Sequence, residues 1–132
     1  VIELSGKNVV VLGRSQGVGK PVALLALERN ATVTICHSKT QNLGTELSQA
    51  DVVIAAVGKA HMVDGSMLQP GCVVIDVGIN ELDGQTVGDV DFTSASEVAS
   101  AITPVPGGVG SVTTTMMLEG LYEAYHARNG HC

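Results

Sequence analysis

Four apolar runs punctuate the first eighty positions, at Asn8–Leu12, Thr32–Cys36, 52–57 and 72–77, and a weaker fifth lies at 101–103. Each has the length of a strand and is bounded by Gly, Asp or Pro, the residues that turn or terminate extended chain. The intervening segments at 18–29 and 40–49 carry helical spacing, as does a short one at 64–68. Strands alternating with helices predict βαβ units joined by right-handed crossovers. The expected fold class is therefore α/β, a doubly wound and mainly parallel sheet with helices on both faces.

Near the end, Met116, Met117, Leu118, Leu121, Tyr122 and Tyr125 fall on one broad helical face, predicting a closing helix over 112–127 packed on the sheet. Two segments depart from the alternation. Asp83-Gly84 is a turn signal inside 81–90, where a small hairpin or excursion is expected. The stretch T-P-V-P-G-G-V-G at 103–110 is expected to be a shaped loop that approaches a ligand closely, because its prolines remove N–H donors and its glycines open positive φ.

At 132 residues the chain has the length of one domain, and residues 1–132 are read as a single one. Its residues are 45% hydrophobic but only 2% aromatic, so the core must be built from Val, Ile, Leu, Ala and Met, a palette suited to a sheet buried on both sides. The net charge of −6 argues against nucleic acid and anionic membrane as partners and favours a small molecule. Cys36, Cys72 and Cys132 are odd in number and widely spaced, which fits neither a disulfide framework nor a zinc site and points to a reduced, cytoplasmic setting. No apolar run approaches the length of a membrane span. The first residues lack the blocks of a signal peptide, although a chain opening on Val1 rather than methionine leaves room for a segment ahead of it.

The most informative turn is G-R-S-Q-G-V-G-K-P, residues 13–21, between the first strand and the first helix. In the Rossmann fingerprint G-x-G-x-x-G, the first glycine makes the tight turn, the second lets backbone reach a pyrophosphate, and the third lets the helix pack on the strand. Gly13 and Gly19 match the outer positions, but Ser15 replaces the middle glycine, so phosphates are expected to sit differently or to meet its hydroxyl. A plain structural turn is the competing reading. After the second strand, Cys36-His37-Ser38-Lys39-Thr40 lacks the carboxylate that an NAD site aims at the ribose hydroxyl. A hydroxyl donor, nearby cations and the planar fork of Arg14 would instead welcome a 2′-phosphate, which favours NADP over NAD.

Ligands of doubly wound sheets lie outside the carboxyl ends of the strands. That makes Val57-Gly58-Lys59 and Val77-Gly78-Ile79-Asn80 candidate cofactor walls, with ordinary turns as the alternative. His61, His126 and His131 read as surface residues, Asp76 reads as a structural hydrogen-bonding group, and no catalytic triad or metal cluster is apparent.

The stretches G-R-S-Q-G-V-G-K-P, C-H-S-K-T, A-D-V-V-I-A-A-V-G-K, V-V-I-D-V-G-I-N, V-G-D-V-D-F and I-T-P-V-P-G-G-V-G occur in an order and spacing that resembles the bifunctional methylenetetrahydrofolate dehydrogenase/methenyltetrahydrofolate cyclohydrolase family. The resemblance runs from Leu4 to about Tyr125 and covers only that family's carboxyl-terminal, cofactor-binding domain. It implies hydride transfer from 5,10-methylenetetrahydrofolate to NADP followed by hydrolysis of the methenyl product, in one-carbon folate metabolism. The catalytic residues of that family lie in a preceding domain that these residues do not include, so the fragment alone is expected to be inactive.

Carried over by motif, Gly13, Arg14 and Ser15 match the turn against the cofactor, and Arg14 with Ser38 the groups that hold the 2′-phosphate. Gly58 matches the wall after the third strand, Val77 and Ile79 the nicotinamide end, and Thr113 a contact beyond the loop. Pro106, Gly107, Gly108, Val109 and Gly110 match the segment bordering the folate. Ser111 stands where the family commonly has proline; it restores an N–H and is placed to cap the last helix. The resemblance also implies a homodimer, for which the excursion at 81–90 is expected to present a pairing edge. Two other readings stay open: a stand-alone nucleotide-binding module without catalysis, and a different oxidoreductase on the same fold, in which I-T-P-V-P-G-G-V-G is not expected.

Overall fold

A computed structural model describes residues 4–103 and 105. The closing helix expected at 112–127, the loop residues 106–110, Ser111 and Thr113 lie outside the described residues. Among the described residues, five strands form one parallel sheet: β1 (Asn8–Leu12), β2 (Thr32–Cys36), β3 (Val52–Ala55), β4 (Val73–Asp76) and β7 (Ala101–Ile102), in the order β2-β1-β3-β4-β7. Helix α1 (Gly19–Glu28) connects β1 to β2, and α2 (Leu43–Ser48) connects β2 to β3. A 3₁₀ turn at Gly65–Met67 precedes β4, with Asp64 capping it by accepting the Ser66 N–H at 2.9 Å.

The continuous apolar runs follow from burial on both faces. Val9, Val11, Val52, Ile54 and Val73 point to the side covered by Val22, Ala23 and Ala26 of α1. Their alternates Val10, Leu12, Val53, Ala55 and Val74 join Leu47 of α2, Val63, Leu68, Val90 and Ala95 on the other. Successive side chains of a strand point to opposite faces, so the central strands β1, β3 and β4 feed two cores, whereas the edge strand β2 leaves Thr32, Thr34 and Ile35 exposed. The small side chains Ala23 and Ala26 keep α1 close to the sheet. Of the methionines, Met62 and Met67 are half-buried at the perimeter and Met116 and Met117 lie outside the described residues; the core of the described residues is Val, Leu, Ile, Ala and Cys.

Beyond shifts of a residue at element ends, two boundaries and one whole element depart from the sequence reading. Strand β3 stops at Ala55 rather than 57, because the N–H groups of Val57 and Gly58 turn to the carboxylate of Asp89. Helix α2 begins at Leu43 rather than 40, because Thr40 is held in a turn: its Oγ1 accepts the His37 N–H at 2.8 Å and its own N–H bonds the His37 carbonyl. A five-residue helix, α3 (Phe92–Ser96), stands where none was expected. Its polar composition shows no periodicity, and only Ala95 anchors it in the core.

The expected excursion is a two-stranded antiparallel hairpin, β5 (Asn80–Leu82) and β6 (Gln85–Val87), separate from the main sheet. Its turn residues Asp83 and Gly84 have φ of 53° and 79°, the positive values that tight hairpin turns require. No helix among the described residues is long and apolar enough to cross a membrane.

Candidate functional site

In the parallel register, Cys36 pairs with Leu12, Leu12 with Ala55, and Ala55 with Asp76. The last residues of four strands thus stand level, and the chain leaves all of them along one edge. The ladder continues a step further, with Gly13 N–H donating to the Cys36 carbonyl, Ala56 N–H to Leu12 and Val77 N–H to Ala55, each at 2.8 Å. These bonds give the edge a firm floor.

Above it opens a cleft of about 240 Å³. Gly13, Arg14 and Ser15 line it from the β1 exit, His37 and Ser38 from the β2 exit, and Ala56, Val57 and Lys59 from the β3 exit, with Met62 at its side. Among the described residues, Arg14 and Lys59 are its charged lining groups and no carboxylate lines it. On a chain of net charge −6, that makes a local cationic trap in an acidic field.

The glycines at the ends of the fingerprint perform the steric duties expected of them. Gly13 has φ of 114°, and a Cβ there would overlap the Ala56 carbonyl. A Cβ on Gly19 would overlap the carbonyl of Gly13, so the helix start sits directly on the turn. Ser15 explains how the turn manages without its middle glycine. Its Oγ accepts the N–H groups of Val18 at 3.1 Å and Gly19 at 3.2 Å, capping the first turn of α1. A hydroxyl has two acceptor sites and one donor, so with both acceptors engaged the O–H proton remains for an anion. His37 accepts the Lys39 N–H on Nδ1 at 3.1 Å, which in the neutral ring places the proton on Nε2 as another donor.

Of the residues expected from the sequence, the structure brings Gly13, Arg14, Ser15 and Ser38 together in this cleft. Gly58 lies between two lining residues but is not itself in the lining, and Lys39 is replaced by Lys59 as the second cation. Val77 is buried and Ile79 exposed on the neighbouring β4 exit, outside the cleft. Met62 had no signal in the sequence, since the turn at 61–63 is placed by tertiary bonds from His61 to Gly88 and from Val63 to Asp89.

The buried groups are held for structure. Asp76 accepts the N–H groups of Gly78, Asp89 and Val90, each at 3.0 Å, the structural role expected of it. Burial pushes its carboxyl above the ordinary value of 3.8; the three N–H bonds pull it down, and the Asp89 charge adds to the rise. Burial likewise raises the thiols of Cys36 and Cys72, which disfavours thiolate chemistry at either. Among the described residues, no group of His, Cys, Asp and Glu is placed to hold a metal ion.

A parallel sheet with a glycine-packed first turn, a capped helix start and a cationic cleft at the strand ends defines a dinucleotide-binding domain of the Rossmann class. The donor set suits such a ligand: one hydroxyl proton beside a helix N-terminus, two cations, and a turn too tight for side chains. Residues 1–129 match the family described as tetrahydrofolate dehydrogenase/cyclohydrolase, NAD(P)-binding domain, and the chain belongs to that family.

The bifunctional protein FolD of Herpetosiphon aurantiacus is 62% identical over 124 residues, covering 93% of this chain and 43% of that protein. The crystal structure of the FolD methylenetetrahydrofolate dehydrogenase/cyclohydrolase from Campylobacter jejuni superposes with a TM-score of 0.82 at 45% identity, over 96% of this chain and 45% of that one. The enzyme from Trypanosoma brucei, solved with NADP cofactor and inhibitor, gives 0.79 at 40% identity, over 96% of this chain and 46% of that one. The chain thus spans less than half the length of the relatives it matches.

Proposed function

We propose that this chain binds NADP and serves as the cofactor half of a methylenetetrahydrofolate dehydrogenase/methenyltetrahydrofolate cyclohydrolase, active when joined to a folate-binding domain. In this reading residues 1–132 form one domain. Arg14 and Ser38 hold the 2′-phosphate, Ser15 and the start of α1 meet the pyrophosphate, and Gly13, Gly58, Val77 and Ile79 flank the rest of the dinucleotide, with Thr113 beyond. Pro106, Gly107, Gly108, Val109 and Gly110 border the folate. When bound, the nicotinamide supplies the hydride acceptor; the chain's residues hold it in orientation and exclude water from its face.

The observation that carries the reading is that Arg14 and Ser38 line one cleft whose described lining holds two cations and no carboxylate. A 2′-phosphate finds there a forked cation and a hydroxyl donor. Arg14→Ala is expected to weaken NADP binding about tenfold or more while leaving NAD within about twofold, as loss of a charge-assisted bond would. Equal losses for both, by calorimetric titration, would refute the assignment of Arg14.

A second reading, a nucleotide-binding module without catalysis, is favoured by the short span of the chain against its relatives. Dehydrogenase turnover by these residues alone would exclude it. Turnover appearing only on fusion to a folate domain is the result expected of the first reading.

The hairpin supports two further elements of the proposal. Residues 81–86 are all exposed, including Leu82 at 41%, and they offer an edge through which two copies pair. Sedimentation should then show a dimer that charge reversal at Glu81 weakens. The free, buried Cys36 and Cys72 accord with a cytoplasmic enzyme.

A further inference from the structure

The cleft's β3 wall is built by a residue that does not line it. Asp89 is fully buried. Its Oδ2 accepts the N–H of Val57 at 2.7 Å and of Gly58 at 3.1 Å, and its Oδ1 accepts the N–H of Lys59 at 3.0 Å and the Asn80 side-chain amide at 2.9 Å. Three successive N–H groups converging on one point form a nest, the backbone device that elsewhere cradles phosphates. Here the chain supplies the anion itself.

Asp89 is in turn fixed by the end of β4. Asp76 accepts the backbone N–H of Asp89 and of its neighbour Val90. The packing is reciprocal: a Cβ on Gly78 would overlap the Asp89 carboxylate, and one on Gly88 would overlap that of Asp76. Each carboxylate thus occupies the space that any side chain on the facing glycine would need. The exit of β4 therefore dictates, through two carboxylates, where the exit of β3 lies.

We propose that Asp89 is a positioning residue for the dinucleotide: it holds Val57 and Lys59 in place as the cleft wall, and by filling the nest at 57–59 it leaves the start of α1 as the phosphate seat. The proposal rests on the reading that the cleft takes NADP. Removing the carboxylate frees three N–H groups, and the loop, turned at Gly58 with φ of 74°, offers these N–H groups no other acceptor among the described residues.

The test compares Asp89→Asn with Leu47→Ala, a core truncation on α2 whose side chain is fully buried and does not line the cleft. An asparagine keeps one acceptor and turns an NH₂ against N–H donors. Asp89→Asn is expected to lose amide-exchange protection at Val57, Gly58 and Lys59 and to bind NADP about tenfold or more weakly, in keeping with lost bonds to a charged group. Leu47→Ala should lower the melting temperature while keeping loop protection and affinity. Affinity within about twofold of the unsubstituted chain in Asp89→Asn, or an equal loss in Leu47→Ala, overturns the proposal.

If Asp89→Asn does not fold, Asn80→Ala removes one of the carboxylate's donors; unchanged affinity and loop protection in it count against the proposal, and a partial loss of both supports it. If the unsubstituted chain itself does not bind NADP, the functional reading fails, whereas exchange at 57–59 still decides whether Asp89 builds the loop.

Discussion

Gly19 and Ser15 show how a single residue sets the geometry of the turn. A Cβ at Gly19 meets the Gly13 carbonyl, which is backbone and cannot give way cheaply. Gly19→Ala is expected to cost about 1–3 kcal/mol of stability, the range of overpacking, and urea unfolding measures it. At Asp76 the relevant variable is pH. Its carboxyl holds a proton to higher pH in the folded chain than in the unfolded one, chiefly because it is buried. The folded state binds more protons across that window, so this group's contribution is fully present below 3.8 and declines as pH rises through its raised value. A carbon-13 titration of the Asp76 carboxyl should give a midpoint above 3.8; one at or below it would contradict the assignment. Gly13, Gly19, Arg14 and Ser38 were legible because each sits in a local motif with a local duty. Asp89 was not, since its partners lie some 30 residues away at 57–59 and nothing in V-G-D-V-D-F tells a buried acid from an exposed one.

Among the elements, those that feed two cores were the easiest to read. Strand β1 stands where the pattern put it, since an uninterrupted apolar run calls for burial on both faces; the edge strand β2, with Thr32 and Thr34 exposed, and the hairpin turn at Asp83-Gly84 also stand where expected. Ends decided by side chains folding back on the backbone were not readable: Thr40 delays α2 and Asp89 shortens β3. Helix α3 escaped because five residues with one buried anchor carry no period. Leu47 is the buried anchor of α2, itself only six residues long, so Leu47→Ala should cost about 2–4 kcal/mol by chemical denaturation. The hairpin, by contrast, packs apart from the main sheet, and Gly84→Val should unsettle its turn without changing NADP affinity in a titration.

At the scale of the molecule, the sheet divides the work. One apolar layer lies under α1 and another under α2, the 3₁₀ turn and α3, and both stop at the level where Cys36, Leu12, Ala55 and Asp76 stand abreast. The charge pattern follows the same boundary: an acidic chain whose cations Arg14 and Lys59 meet at the strand exits. That placement was foreseeable from the fold class, while the choice of Lys59 over Lys39 depended on how far each exit loop reaches. The level row of strand ends therefore acts as a waterline for variation. A saturation library of this chain, sorted separately for abundance and for cofactor capture, should split along it, with substitutions below losing abundance and those above losing capture alone. Asp89 would be the conspicuous stray, fully buried yet scoring with the rim.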